Sequence, residues 1–203
     1  MAACFESDTE RAMDRPGRAF LDNLLPPIFQ HYPYRGRSQF QNDFEAASEA
    51  SQGTFNEWFI VTGVNKDIFE SVFSEAQESP FCRWTAYDPQ VEKLLVRIMA
   101  GVPHETASRV FDHMVLQAAD ATGVTLQPLG SGRHSGSMGN KEADEAWRPE
   151  RLPVGRNRHW PSGVLEVGYS ESYPKLQADL RFWAQASPCT SHNDETECLW
   201  RQD

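Results

Sequence analysis

The sequence predicts an α+β domain in which a mixed sheet is flanked by helices. Three observations carry that expectation. Short β-prone runs recur along the chain: Trp58-Phe59-Ile60-Val61-Thr62, Leu94–Met99 and Gly163–Tyr169. Between them lie stretches with apolar residues at helical spacing. The two kinds of segment alternate, in the order strand, helix, strand, acidic hairpin or loop, strand, helix from about residue 91.

Taken in order, residues 1–53 are polar and broken by Pro16, Pro26, Pro27 and Pro33, and they are expected to be poorly ordered. Within them Phe20–Leu25 suggests a helical turn, and Phe40–Ser51 a short helix. Residues 54–87 read as a strand–helix appendage. The strand Trp58–Thr62 ends at Gly63, and Asn65 caps a helix over Lys66–Gln77 with Ile68, Phe69, Val72, Phe73 and Ala76 on one side. The core is expected over residues 88–186. Its first strand lies in Val91–Met99. A helix follows over His104–Ala121, with Ala107, Val110, Phe111, Met114, Val115 and Ala118 as its apolar stripe. Val124–Leu129 is a further strand. Gly130–Asn140 has four glycines and three serines and reads as a flexible loop. It lacks the Gly-Lys-Ser/Thr ending of a phosphate loop. A strand over Gly163–Tyr169 and a helix over Tyr173–Ala186 complete the core, and residues 187–203 read as a disordered tail.

Composition narrows the function. The formal net charge is −10, which argues against a constitutive, non-specific nucleic-acid binder. The acidity is uneven: residues 104–183 carry nine Lys/Arg against ten Asp/Glu, while the first 103 residues carry nine against fifteen. The four cysteines, Cys4, Cys82, Cys189 and Cys198, form no C-x-x-C pair and read as separate reduced thiols. The start lacks a basic, apolar signal pattern and no run approaches the ~18 apolar residues of a membrane span. An intracellular protein, cytoplasmic or nuclear and without a membrane partner, is the expectation. No Ser or Cys stands in a nucleophile-elbow context.

Two carboxylates stand out. Asp144 follows the glycine-rich loop, and Glu166 sits between Leu165 and Val167 in an apolar run, where a carboxylate is costly to bury without a partner. If Asp144 begins or ends one strand and Glu166 lies on its neighbour, the pair suits Mg²⁺, which takes one or two carboxylates and keeps waters for a substrate phosphate. Four arginines within eleven residues, Arg148, Arg151, Arg156 and Arg158, offer a loop facing nucleic-acid phosphate, with a solvated loop as the alternative.

The runs Lys141-Glu-Ala-Asp144 and Trp160-Pro-Ser-Gly-Val-Leu-Glu166-Val-Gly-Tyr-Ser-Glu-Ser172, then Lys175, Asp179 and Trp183, resemble a group of uncharacterised fungal proteins. Those proteins are similar to the PD-(D/E)XK nuclease-like superfamily, which includes bacterial restriction-endonuclease-like proteins. The resemblance covers roughly residues 55–186. It implies a restriction-endonuclease-like mixed sheet and metal-dependent phosphodiester hydrolysis. Asp144 and Glu166 would be metal ligands, Glu105 an auxiliary acid and Mg²⁺ the cofactor. Ala143 stands where the superfamily often has proline. Gly168 stands where the Glu-x-Lys lysine belongs, so Lys175 on the next helix becomes the catalytic candidate, with a surface ion pair to Asp179 as the alternative. The strand that follows the last helix in relatives is missing. A catalytically silent relative acting as a binding or interaction module is the alternative to an enzyme.

Overall fold

The computed structural model describes residues 19–22, 24, 30–51, 57–99, 101–168 and 173–187. Their architecture is mixed α+β. A six-stranded sheet has the order β1-β2-β4-β3-β7-β6, and a three-stranded sheet has the order β5-β8-β9. The strands are β1 (Gln30–Pro33), β2 (Trp58–Thr62), β3 (Trp84–Asp88), β4 (Lys93–Arg97), β5 (Leu126–Pro128), β6 (Arg133–Gly136), β7 (Gly139–Glu142), β8 (Glu145–Pro149) and β9 (Gly163–Leu165). The helices are α1 (Arg37–Ser51), α2 (Lys66–Ile68, continuing as a π-helical turn over Phe69–Ser74), α3 (Val102–Ala121) and α4 (Tyr173–Gln185). The β1–β2 pair is parallel and the other pairs are antiparallel, so the large sheet is mixed.

The continuous apolar run of β2 is explained by burial on both faces. Phe59 and Val61 point into one core, with Leu94 and Val96 of β4, Phe40 and Ala47 of α1, and Phe69 and Phe73 of α2. Trp58 and Ile60 point into the other, with Leu95, Phe20, Leu21, Leu24 and the α4 residues Ala178 and Phe182. One strand thus feeds two cores by simple alternation. Residues 54–87 are therefore integral to the large sheet: β2 pairs with β4 over its whole length and β3 with β4 on its other edge. The Asn65 cap forms as read, its Oδ1 accepting the Ile68 N–H at 2.9 Å.

The described part of residues 1–53 is more structured than its polarity suggests. It supplies β1, α1 and the buried Phe20, Leu21 and Leu24. Buried Asp88 holds this segment by accepting the Leu21 N–H at 3.0 Å. The expected flexible loop Gly130–Asn140 instead forms the β6–β7 hairpin at the sheet edge. Gly139 explains the turn residues there. Its φ is +137°, and a Cβ would meet the Tyr87 carbonyl oxygen at 2.1 Å. The strand expected over Gly163–Tyr169 stops at Leu165, so Glu166 lies just beyond β9. The expected tail lies outside the described residues, apart from Ser187.

Helix α3 departs most from expectation. Val110, Phe111 and Met114 of its apolar stripe are exposed, and its buried residues are His104 and Ser108. The helix is held along a polar edge with a spacing of four. His104 Nε2 lies 2.9 Å from Asp144 Oδ1, Ser108 is buried, and Asp112 accepts the Trp147 indole N–H at 2.7 Å. Specific polar bonds, not the stripe, fix its roll.

Phe182 is fully buried and sits 5.0 Å from Phe20 and 5.1 Å from Trp183, ring centre to ring centre. Phe182→Ala is expected to cost ~3–5 kcal/mol in urea unfolding, while Met114→Ser changes stability by about 0.5 kcal/mol or less. A large loss at Met114 would mean that the α3 stripe is packed.

Candidate functional site

Asp144 and Glu166 are brought together by strand register. The β8–β9 ladder pairs Glu145 with Leu165, Ala146 with Val164 and Trp147 with Gly163. One step beyond its end, Asp144 stands opposite Glu166. The chain passes from β7 in the large sheet to β8 in the small one through Ala143 and Asp144, so the acid occupies the corner between sheets. Across that corner the Val167 N–H donates to Asp144 Oδ2 at 2.8 Å.

Each carboxylate is held by neighbours. Asp144 Oδ1 takes His104 Nε2 at 2.9 Å and lies 3.8 Å from Arg97 Nη1. Glu166 Oε1 lies 3.0 Å from Lys141 Nζ and accepts the Trp183 indole N–H. Lys141, from β7, also reaches Asp179 Oδ1 at 3.0 Å, and Lys175 Nζ bonds Asp179 Oδ2 at 2.8 Å. The Lys175–Asp179 pair therefore forms at its helical spacing, but it is buried and not a surface pair; Lys175 also lies 4.3 Å from the Trp58 ring centre.

The electrostatics follow from burial and shared charge. Burial alone would raise the Asp144 carboxyl, but the hydrogen bonds from His104 and Val167 and the charges of His104 and Lys175 outweigh it and hold the group below its ordinary value. Burial dominates at Glu166. Lys141 and Lys175 pull its pKa down, Asp179 and Asp144 push it up, and it settles at about 8. For Lys141, burial favours the neutral amine, yet Asp179 and Glu166 together push its pKa above the usual lysine range. The shared ammonium stays charged, while burial leaves Glu166 with a high affinity for its proton.

A cavity of about 10 Å³ lies at this point, lined by Trp58, Thr85, Arg97, Lys141, Glu142, Ala143, Asp144, Glu166 and Lys175. That is about the space one water or one bare ion occupies, ~10–15 Å³. Asp144, Glu166 and Lys175 thus line one small cavity. A wider pocket of about 210 Å³ shares Thr85, Arg97, Glu142 and Asp144 with it and continues along α3. Glu105 is exposed and lines the wider pocket, not the small cavity. The four arginines line neither. Arg148 bonds Gln127 Oε1 at 2.9 Å and the Arg158 carbonyl, and Arg151, Arg156 and Arg158 are exposed. Sequence reading missed Lys141, Arg97 and His104 as site residues. Only the inward alternation of Lys141 along β7 carried a signal.

Among the described residues, no group of three or more His, Cys, Asp or Glu side chains converges on a metal position. Two carboxylates beside an ion-sized cavity do match the donor set that Mg²⁺ uses when waters and substrate complete its shell. No described helix is long and apolar enough to cross a membrane. Comparison with known proteins finds no matching family model, no matching curated protein and no matching solved structure.

Two outcomes test this network. Lys141→Met is expected to destabilise the fold by ~3–5 kcal/mol at pH 7, because it leaves buried carboxylates without their shared cation. A loss under about 1 kcal/mol would show that Lys141 is not the hub. The second concerns pH. The folded-state pKa of Glu166, about 8, lies above the ~4.3 of an unfolded glutamate, so folding favours the protonated acid. Its contribution is complete below ~4.3 and is lost as pH rises towards 8. The fall in urea midpoint between pH 5 and pH 8.5 should therefore be shallower in Glu166→Gln than in the parent chain.

Proposed function

We propose that the chain is a metal-dependent phosphodiester hydrolase of the PD-(D/E)XK type on a restriction-endonuclease-like core, acting on nucleic acid. The observation that carries this reading is the placement of Asp144 and Glu166 across a ladder end, beside an ion-sized cavity that two buried lysines also reach. Asp144 and Glu166 would hold Mg²⁺. The ion, when bound, neutralises phosphate charge and lowers the pKa of an attacking water. His104 and the Val167 N–H keep the Asp144 carboxylate ionised and oriented. Lys141 and Lys175 bring ammonium groups to the side of Glu166, where charge developing on a phosphate oxygen gains from a nearby cation. The Trp183 indole fixes the rotamer of Glu166.

A second reading has its own observation. Glu166 is already engaged by Lys141 and Trp183, and a carboxylate so engaged can be purely structural. The chain would then be a catalytically silent binding module.

Calorimetric titration separates the two. The hydrolase reading expects Mg²⁺ or Mn²⁺ binding that weakens at least about tenfold, a loss of ~1.4 kcal/mol, in Asp144→Ala and in Glu166→Ala. It also expects metal-dependent cleavage of an oligonucleotide that Glu166→Gln abolishes. Metal binding unchanged by both alanine variants would overturn it.

A further inference from the structure

Three residues that line the wider pocket carry buried polar atoms that make no hydrogen bond. Arg97 Nε and Nη2, Ser108 Oγ and Thr85 Oγ1 are buried and make no hydrogen bond. All three residues line the same pocket of about 210 Å³. Ser108 and Thr85 are more than nine-tenths buried as whole residues, at 4% and 8% exposed. Buried polar groups are nearly always paired, so three such residues around one pocket call for a common partner.

Their chemistry limits what that partner is. The Arg97 guanidinium has only N–H donors and never accepts, so a metal ion cannot satisfy it. The acids of the pocket are largely taken: Glu142 bonds Arg133 at 3.1 Å, Glu145 lies 3.4 Å from Arg109, and Asp144 holds His104. Arg97 forms only long ion pairs, Nη1 at 3.8 Å from Asp144 Oδ1 and Nη2 at 3.9 Å from the buried Glu57 Oε2, so its Nε has no acceptor and its Nη2 no hydrogen bond. Arg83 and Arg109 also line the pocket. An oxyanion with several acceptor oxygens fits such a donor set, and guanidinium groups favour phosphate.

Backbone irregularity presents one of these donors. Between Trp84 and Ala86 the β3–β4 register shifts, with Trp84 opposite Val96 and Ala86 opposite Leu95, so Thr85 is the extra residue of a β-bulge. The bulge sends Trp84 into one core and Ala86 into the other. It leaves Thr85 lining both the wider pocket and the ion-sized cavity. Bulges that re-aim a side chain in this way recur beside binding sites.

We propose that the pocket formed by Thr85, Arg97 and Ser108 is a phosphate subsite adjoining the carboxylate pair. Its role as the place for a substrate phosphate next to the reacting one rests on the hydrolase reading above. Its affinity for phosphate does not. The probe is inorganic phosphate, titrated calorimetrically into the full chain in excess EDTA, followed by a deoxynucleoside 5′-monophosphate and by an oligonucleotide with and without a 5′-phosphate. Phosphate should bind and be displaced by the nucleotide. Arg97→Gln, Thr85→Val and Ser108→Ala should each weaken it by about tenfold, as loss of a hydrogen bond to a charged group does. Lys66→Gln, an exposed change on α2, should leave it unaltered. Ser108→Ala removes one oxygen and keeps the helix, so it decides the matter if Arg97→Gln fails to fold. Tighter binding of the nucleotide than of inorganic phosphate assigns the subsite to a nucleic-acid end, and equal binding assigns it to free phosphate. Absence of phosphate binding, or binding that Ser108→Ala and Thr85→Val leave unchanged, overturns the proposal. Phosphate binding in EDTA, together with no Mg²⁺ or Mn²⁺ binding in the separate EDTA-free metal titration, would instead remove the hydrolase reading and leave the subsite standing.

Discussion

The buried ammonium of Lys141 is the constraint on which the centre of the molecule depends. A lysine this deep is tolerated only with carboxylates in contact, because desolvating an unpaired charge costs several kcal/mol or more. Its two partners come from different places, Glu166 just after β9 and Asp179 inside α4. Lys141, on the strand next to the edge of the large sheet, therefore ties that sheet to the segment after β9 and to α4. Burial raises the Glu166 pKa to about 8; Lys141 and Lys175 pull against that rise, and Asp179 and Asp144 add to it.

The corner between the two sheets is the second requirement. Had β7 run straight into β8, Ala143 and Asp144 would have been ladder residues with no special direction. The break lets Asp144 turn towards Glu166 while its oxygens are claimed from two sides, by His104 at the start of α3 and by the Val167 N–H. The role of α3 follows from this. Its exposed apolar residues contribute little to its placement, and its polar edge, His104, Ser108 and Asp112, sets it against the corner. A helix held that way brings a histidine to Asp144 and leaves the Ser108 hydroxyl facing the wider pocket.

What the sequence disclosed divides along these lines. The β-prone run of β2, the Asn65 cap and the α+β order were legible because each depends on local chemistry. Glu166 was legible because a carboxylate in an apolar run demands a partner, and Asp144 as the acid that could join it, whereas Lys175 came only from the resemblance. The hairpin β6–β7 was not, since Gly130–Asn140 has turn residues and almost no β-prone ones, and its pairing comes from Gly139 passing close to Tyr87. Phe20, Leu21 and Leu24 were hidden by their polar surroundings, and their burial rests on the distant Asp88. The stripe of α3 misled because apolar periodicity identifies a helix but does not guarantee which face is covered. The bulge at Thr85 left no trace in the sequence at all, because it is a property of pairing between strands.

Under the proposed hydrolase reading, Gly168 stands where the lysine of a Glu-x-Lys pattern would be. A Cβ built there would make only an ordinary contact, 3.7 Å from the Leu176 side chain, so crowding does not dictate the glycine. The demand for cationic charge beside Glu166 is met from elsewhere, by Lys141 across the sheet edge and by Lys175 from the following helix. Both lysines line the ion-sized cavity with Glu166, and both lower its pKa. They are not equivalent. Lys175 sits on Asp179 at 2.8 Å, one turn away on its own helix, whereas Lys141 is 3.0 Å from Glu166 itself and rises from a strand held in register by β3 and β6. Both ammonium groups ride on the same four-carbon stem, so what separates them is contact: Lys141 Nζ meets Glu166 Oε1, while Lys175 Nζ is bonded to Asp179 Oδ2. Under the proposed hydrolase reading, Lys141, and not the Lys175 that the resemblance nominates, is then the better-placed cation beside Glu166.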